Sequence, residues 1–205
     1  VMFDEPTIDD TTIAMIVGQE FEDVEFEYPL LTLSEVGADI VVVPIKRGQS
    51  TRPFLEDKVV TGRFGSPCPP NVMEEGNRYT VTEFEDLELD DIDCLLFPGG
   101  FSPDNLRILS DVTDFVRRAD EQDKLIAAIC HAAWILIDAH VAEGRRMTCY
   151  RAVREDVKNA GAEYVDEPAV RDGNLVSGRV PDDLPQFCSL IAETIAEREA
   201  QSQPA

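Results

Sequence analysis

Short apolar runs alternate with amphipathic stretches along most of the chain. Four runs have the length and composition of buried strands, namely 11–17, 38–44, 92–97 and 125–129. Between the first two runs, apolar positions recur at helical spacing, namely Val24, Tyr28, Leu31 and Leu33. Gly37 ends this helix. Because a strand, a helix and a second strand form the unit of a parallel sheet, the pattern predicts an α/β protein with a mostly parallel sheet.

The second half of the chain continues this alternation. Helices are predicted at 111–122, 131–139, 151–161 and 182–199, the last with Asp182 as its cap. Residues 165–176 have strand-like character around the turn Asp172-Gly173-Asn174, which is typical of a β-hairpin.

The segment 46–78 breaks the pattern because it is rich in glycine, proline and charged residues. Its only strand-like stretch is short, at 58–61, and a plausible strand follows it at 78–82. A loop of this length in a compact domain is usually functional or part of an interface. We therefore expect a single domain at 11–199 that carries this excursion, with a flexible acidic leader at 1–10 and a flexible tail at 200–205.

The net charge of the chain indicates the salt conditions in which the protein works and the partners that it can bind. There are 41 acidic and 18 basic residues, giving a net charge of −23, and the acids are spread over the whole length. This distribution favours a protein adapted to high salt, with an ordinary acidic protein as the alternative. Nucleic acid is not an expected partner, because phosphate binding needs a basic face. Neither a membrane span nor a signal peptide is recognised, so a cytoplasmic location is expected.

The cysteines and histidines argue against a disulfide framework and against a zinc site. The five cysteines are an odd number, and no two have CxxC spacing. Only two histidines are present, His131 and His140. We therefore expect reduced thiols, no bound metal and no cofactor.

Cys130 lies at the join between the apolar run 125–129 and the helix that follows it. A nucleophile on such an elbow is exposed at the carboxyl edge of the sheet, where open α/β sheets bind ligands. The helix dipole and free N–H groups are expected to lower the thiol pKa. The alternative is that Cys130 is a small buried residue, as free cysteines usually are.

Two further features lie at the same predicted edge. The glycines of Pro98-Gly99-Gly100 leave backbone N–H groups accessible, and the N–H groups of Gly100 and His131 could form an oxyanion hole. The acidic stretch 20–23 follows the first strand, and a carboxyl group near a thiolate would tend to stay protonated. In so acidic a chain, any one carboxylate is more often solvated surface.

These segments together resemble a known family. The motifs are FEDVEFEYPLLTLSEVGADIVVV, LLFPGG, AAICHAAWILIDAHVAEGRRMTCY and NAGAEYVDEPAVRDGNLVSGRVPDDLPQF. They are similar to the ThiJ/PfpI family, particularly its PfpI-type intracellular proteases, over residues 12–192. The resemblance implies a flavodoxin-like three-layer sandwich with helices on both faces of the sheet.

The resemblance also implies roles for individual residues. Cys130 matches the nucleophile, His131 its adjacent histidine, and Glu22 the acid that hydrogen-bonds the cysteine. The Gly100 and His131 N–H groups match the oxyanion hole. Asp104 occupies the place of a triad glutamate that a neighbouring subunit supplies in PfpI-type members, although its side chain is one methylene shorter. A homodimer or homohexamer with the site near a subunit interface is therefore expected.

The expected function is a cysteine-nucleophile enzyme acting on carbonyl or acyl groups. The family has peptidase, glyoxalase and deglycase activities, all of which begin with thiolate attack on a carbonyl carbon. The substrates would be small carbonyl compounds, or peptide or glycated molecules. A glutamine amidotransferase is disfavoured because no histidine follows His140. The alternative is a redox-sensing or chaperone-like stress protein that uses the same cysteine.

Overall fold

A seven-stranded sheet forms the centre of the molecule. The computed structural model describes residues 6–47, 59–70 and 76–202. The strands in these residues, including those outside the central sheet, are β1 (Thr12–Val17), β2 (Asp39–Pro44), β3 (Val60–Thr61), β4 (Pro67–Cys68), β5 (Thr80–Val81), β6 (Cys94–Phe97), β7 (Leu125–Ile129), β8 (Arg146–Met147), β9 (Glu163–Tyr164), β10 (Ala169–Asp172) and β11 (Leu175–Gly178). The sheet order is β10-β11-β7-β6-β1-β2-β5. Only the β10–β11 pair is antiparallel, and the other five pairs are parallel.

Helices cover both faces of this sheet. They are α1 (Asp23–Glu35), α2 (Ser102–Arg107), α3 (Ser110–Glu121), α4 (Ala133–Asp138), α5 (Arg154–Asn159) and α6 (Leu184–Ser202). Helices α1 and α6 pack on one face, and α2 to α5 form the other layer. Two hydrophobic cores result, one on each face, as expected for strands buried on both sides. The predicted α/β sandwich with a mostly parallel sheet is confirmed.

Several predicted elements differ from the observed ones. Helix α2 was not predicted, because six residues are too few to establish an apolar period. The predicted helix 131–139 begins instead as a 3-10 turn at Cys130–Ala132, followed by α4. The predicted hairpin lies a few residues later, at β10–β11.

The described parts of the two ends that were predicted to be flexible are structured. Ile8 is fully buried, and its N–H donates to the carbonyl of Val36 at 2.9 Å. At the other end, α6 continues through residue 200 to Ser202. The first five and last three residues of the chain lie outside the described residues, as does most of the excursion, at 48–58 and 71–75.

Helix α1 is rotated relative to the predicted apolar stripe. Val24 and Leu31 are 42% and 46% exposed, whereas Phe26 and Leu30 are fully buried. The inward face also carries Glu25, which is 0% exposed. This rotation decides which acid of the first loop reaches the centre of the molecule.

Within the described ranges, no helix is both long and apolar enough to cross a membrane.

Candidate active site

Cys130 occupies a strained turn at the carboxyl edge of the sheet. Strand β7 lies between β6 and β11 and ends at Ile129. Cys130 follows directly with a φ of 63°, a value that residues with a side chain rarely adopt. Its carbonyl accepts a hydrogen bond from the N–H of Tyr150 at 3.1 Å. The strand-to-helix elbow predicted from the sequence is therefore present.

Two backbone N–H groups point at the sulfur of Cys130. They belong to His131 and Gly100, the two residues proposed from the sequence as oxyanion donors. The side chain is confined, since Cys130 is only 9% exposed. Donors that meet at the nucleophile lie close to the place where a bound carbonyl oxygen would develop charge.

Glu25 is the carboxyl group beside Cys130. Its Oε2 accepts a hydrogen bond from the N–H of Gly99 at 2.8 Å. Its Oε1 is buried and makes no hydrogen bond of good geometry within the described part of the chain. Burial raises the pKa of Glu25 to about 7, although the Gly99 N–H and the Cys130 side chain both lower it. Near neutral pH, this carboxyl group can therefore hold a proton against the sulfur.

The assignment of Glu22 as the acid next to the cysteine is corrected by this geometry. Helix α1 begins at Asp23, so Glu22 precedes it while Glu25 lies on its buried face. Glu22 instead pairs with Arg63, at 3.0 Å between Oε2 and Nη1. The missed signal was the spacing of Glu25, Pro29 and Leu33, which places an acid on the inward side of the helix.

Gly99 and Gly100 let the loops after β1 and β6 approach closely. A Cβ on Gly99 would lie 2.7 Å from both Cys130 Cβ and Glu25 Oε2. Gly100 has a φ of 74° and forms a β-bridge with Phe21. Close packing at the site therefore requires glycine at positions 99 and 100, whereas a simple turn would tolerate larger residues.

The net effect of this environment on the thiol differs from the sequence-based expectation. Burial raises the pKa of Cys130, and the neighbouring Glu25 carboxylate raises it further. The His131 and Gly100 N–H groups lower it, but burial outweighs them. Thiolate formation at Cys130 is thus tied to the protonation of Glu25.

His131 lies on the other side of the nucleophile, between two aromatic rings. It stacks on Tyr150 with ring centroids 5.0 Å apart, and the Trp134 ring meets it edge-on at 5.0 Å. The buried Nδ1 of His131 has no hydrogen-bond partner among the described residues. Burial lowers the pKa of His131, and the charge of Asp104 opposes this effect.

Asp104 lies on α2 and acts electrostatically on His131 of the same chain. Partial desolvation raises the pKa of Asp104, while His131 and Arg107 lower it. Four of the five predicted site residues therefore lie together (Cys130, His131, Gly100 and Asp104), and Glu25 takes the place expected for Glu22.

A short hairpin from the excursion, β3–β4, packs against the loop after β1. Gln19 accepts a hydrogen bond from the N–H of Thr61 at 3.0 Å. The carboxylate of Asp23 accepts from the N–H groups of Phe64 at 2.9 Å and Ser66 at 2.8 Å. The excursion thus contributes to the surroundings of the site, as the sequence suggested for so long a loop.

Comparison with known proteins agrees with this fold. The sequence profile of the DJ-1/PfpI family matches residues 11–194. The chain belongs to the DJ-1/PfpI family. A deglycase of Pyrococcus abyssi is 36% identical over 175 residues, covering 84% of this chain and 92% of the relative. A candidate cysteine protease of Bacillus subtilis, YraA, is 35% identical over 175 residues, covering 85% and 92%.

A solved structure of the family supports the flavodoxin-like architecture. DJ-1beta of Drosophila melanogaster superposes with a TM-score of 0.73 at 25% identity, covering 92% of each chain. The sequence-based resemblance to the ThiJ/PfpI family is confirmed.

No cluster of three or more histidine, cysteine or acidic residues that could hold a metal occurs in the ranges 6–47, 59–70 and 76–202. All five cysteines are buried free thiols.

Proposed function

We propose that the protein is a cysteine-dependent enzyme that acts on small carbonyl compounds through Cys130. One observation carries the proposal: a buried carboxyl group and two backbone N–H donors meet at a single sulfur on a strained elbow. The enzyme activities named for relatives, deglycase and candidate cysteine protease, support it. Both chemistries begin with thiolate attack on a carbonyl carbon.

In the proposed first step, the Cys130 thiol passes its proton to Glu25 and the sulfur attacks the carbonyl carbon. The Gly100 and His131 N–H groups, which donate to sulfur in the free protein, then stabilise the alkoxide that forms. Protonation of that oxygen gives a hemithioacetal. His131 moves protons in the steps that follow, and the charge of Asp104 favours its protonated form.

For a 2-oxoaldehyde, the remaining steps are an internal oxidation and reduction. The hydrogen on the former aldehyde carbon moves to the neighbouring carbon, so that a thioester forms and the ketone becomes an alcohol. Water then cleaves the thioester and releases the thiol. Methylglyoxal and water would give lactate, and no external oxidant is needed.

The confinement of Cys130 favours small substrates over peptides. A residue that is 9% exposed, beside a hairpin held by Gln19 and Asp23, leaves little room for an extended chain. A small aldehyde needs only a narrow approach to the sulfur. Proteolysis is therefore the second candidate, supported mainly by the name of the Bacillus subtilis relative.

Methylglyoxal consumption with lactate detection tests the proposal in molar salt. We expect Cys130→Ala to lower turnover at least ~10³-fold, because the nucleophile is removed. Cys188→Ala on α6 is the matched control, since it removes another buried thiol, and it should retain activity.

Equal turnover by Cys130→Ala and the wild type would contradict the proposal. If the wild type does not consume methylglyoxal but Cys130 is readily alkylated, a peptidase or a redox-sensing stress protein becomes the better account. The homodimer or homohexamer remains a prediction, and light scattering on the purified protein measures it.

A further inference from the structure

Arg63 brings a positive charge to the entrance of the Cys130 site. It lies in the turn between β3 and β4, and its side chain is 42% exposed. Its backbone N–H donates to the carbonyl of Phe21 at 3.0 Å. Its Nη1 pairs with Glu22 Oε2 at 3.0 Å. The residue is therefore fixed both by its backbone and by its side chain.

The guanidinium group is placed next to the proposed oxyanion donors. It lies over the ring of Phe101, 5.1 Å from the ring centroid. Phe101 directly follows Gly100, whose N–H points at the sulfur. The charge of Arg63 acts on both sides of Cys130. It lowers the pKa of Glu25, against the larger effect of burial, and it lowers the pKa of His131, in the same direction as burial.

The turn that carries Arg63 is held in place by buried polar groups. The Asp23 carboxylate accepts hydrogen bonds from both Phe64 and Ser66, one on each side of Gly65. Gly62 is so close to Asp23 that a Cβ there would lie 2.5 Å from the carboxylate. A charged side chain that is already ordered loses little conformational entropy when it binds a ligand, so it can distinguish one ligand from another.

Because the whole chain is strongly negative, the positive charge of Arg63 matters for any anionic ligand that approaches Cys130. A protein with a net charge of −23 repels anionic ligands at long range. A guanidinium group presents its donors in a planar fork that matches the shape of a carboxylate, and Arg63 already binds the carboxylate of Glu22.

We propose that Arg63 recognises a carboxylate on the substrate, and that the enzyme prefers 2-oxoaldehydes that carry a carboxylate over neutral ones. The substrate class rests on the proposed function, whereas anion recognition beside Cys130 does not. The reaction is balanced as before: the aldehyde carbon becomes a second carboxylate, the ketone becomes an alcohol and one water is consumed. The recognised carboxylate is unchanged.

Alkylation of Cys130 tests anion recognition without any turnover. In this reaction the thiolate displaces iodide from iodoacetate, which is anionic, or from iodoacetamide, which is neutral and nearly the same size. Mass spectrometry of peptide 125–145, whose only cysteine is Cys130, gives both rates. A change in the thiolate fraction affects both reagents equally and cancels in their ratio.

We expect Arg63→Gln to lower the iodoacetate-to-iodoacetamide ratio about fivefold, as removal of one nearby charge would. Arg63→Lys should keep part of the effect, because it retains the charge without the fork. Arg117→Gln on α3 makes the same change in net charge at an exposed position and should leave the ratio unchanged. A ratio for Arg63→Gln within twofold of the wild type overturns the inference.

Turnover then tests the substrate class. The matched pair is 4,5-dioxopentanoate and its neutral methyl ester, and kcat/KM is measured for each. The wild type should prefer the acid, and Arg63→Gln should lose that preference. A wild type that prefers the ester contradicts the proposed class. If methylglyoxal is consumed but neither of these compounds is, the proposed substrate class is wrong. If none of the three is consumed, the proposed function fails. In either case, the alkylation ratio alone decides whether Arg63 recognises anions.

Discussion

The two sides of Cys130 use carboxyl groups in opposite ways. On the Glu25 side, the carboxyl group is fully buried and directly adjoins the thiol, and its pKa is raised to about 7. On the His131 side, Asp104 is exposed and acts on the imidazole through its charge. Burial therefore makes one acid a proton carrier, while exposure leaves the other an electrostatic support.

This difference shows why the number of acids near a nucleophile says little about their roles. Desolvation dominates the protonation of Glu25 because water is excluded and Gly99 supplies the only hydrogen bond of good geometry that the described structure gives the carboxylate. For Asp104, desolvation is also the largest effect and raises its pKa, but the desolvation is partial and the charges of His131 and Arg107 oppose it. Changes on the Glu25 side should therefore have larger effects than changes on the His131 side.

The largest effect is expected from Glu25→Gln on the pH dependence of stability. Because the folded-state pKa of about 7 lies above the ordinary value of 4.5, this group destabilises the fold as pH rises from 4.5 to 7. The neutral variant lacks this penalty, which is up to about 3 kcal/mol of unfolding free energy. Denaturant unfolding at pH 4.5 and pH 8, in the same salt, measures it.

Glu27→Gln is the matched control, since it makes the same change on a less buried part of α1. If the stability of Glu25→Gln relative to the wild type is the same at both pH values, the raised pKa is wrong.

A smaller loss is expected from Gly99→Ala, which alters the packing on the same side. The added methyl group would lie 2.7 Å from both Cys130 and Glu25, so the loop must shift. Overpacking of this kind costs about 1–3 kcal/mol of unfolding free energy. Gly18→Ala is the control, because its nearest contact would be an ordinary 3.4 Å. Equal stability of the two variants would show that the loop is not tightly packed.

The smallest effect is expected from Asp104→Asn on the His131 side. Loss of the carboxylate removes the interaction that favours the imidazolium, so the pKa of His131 should fall further. NMR titration of the two histidines measures this directly, with the His140 signal as an internal reference. Asp114→Asn on α3 has the same change in charge and should leave His131 unaffected. A His131 titration that is identical in Asp104→Asn and the wild type would remove Asp104 from the site.

The position of Cys130 on an elbow could be predicted from the sequence, but the acid beside its sulfur could not. The run 125–129 ends directly at Cys130, so both the strand and its edge were fixed by a local pattern. The acids at 20, 22, 25 and 27 all lie within one loop and one helical turn. Which of them faces inward depends on how α1 is rotated, and that is set by packing of Phe26, Leu30 and Leu33 on the sheet.

The contribution of the excursion was also beyond sequence reasoning. Arg63 lies 67 residues before Cys130, and only the contacts of β3–β4 with Gln19, Phe21 and Asp23 bring it near the site. Helix α2, which carries Asp104, was too short to be recognised. Strands and helices that are long enough to show a repeating pattern of apolar residues could be predicted. Short elements that are held by side-chain hydrogen bonds could not.

The pH dependence of Cys130 alkylation by iodoacetamide tests most directly whether Cys130 and Glu25 act as one proton-sharing pair. Coupled groups lose their protons in two macroscopic steps. The wild type should therefore show a two-step profile, with the lower step near pH 7 set by Glu25. Glu25→Gln should show one step and no inflection near pH 7. Superimposable profiles for the two proteins would contradict the account, because the thiol would then titrate independently of Glu25.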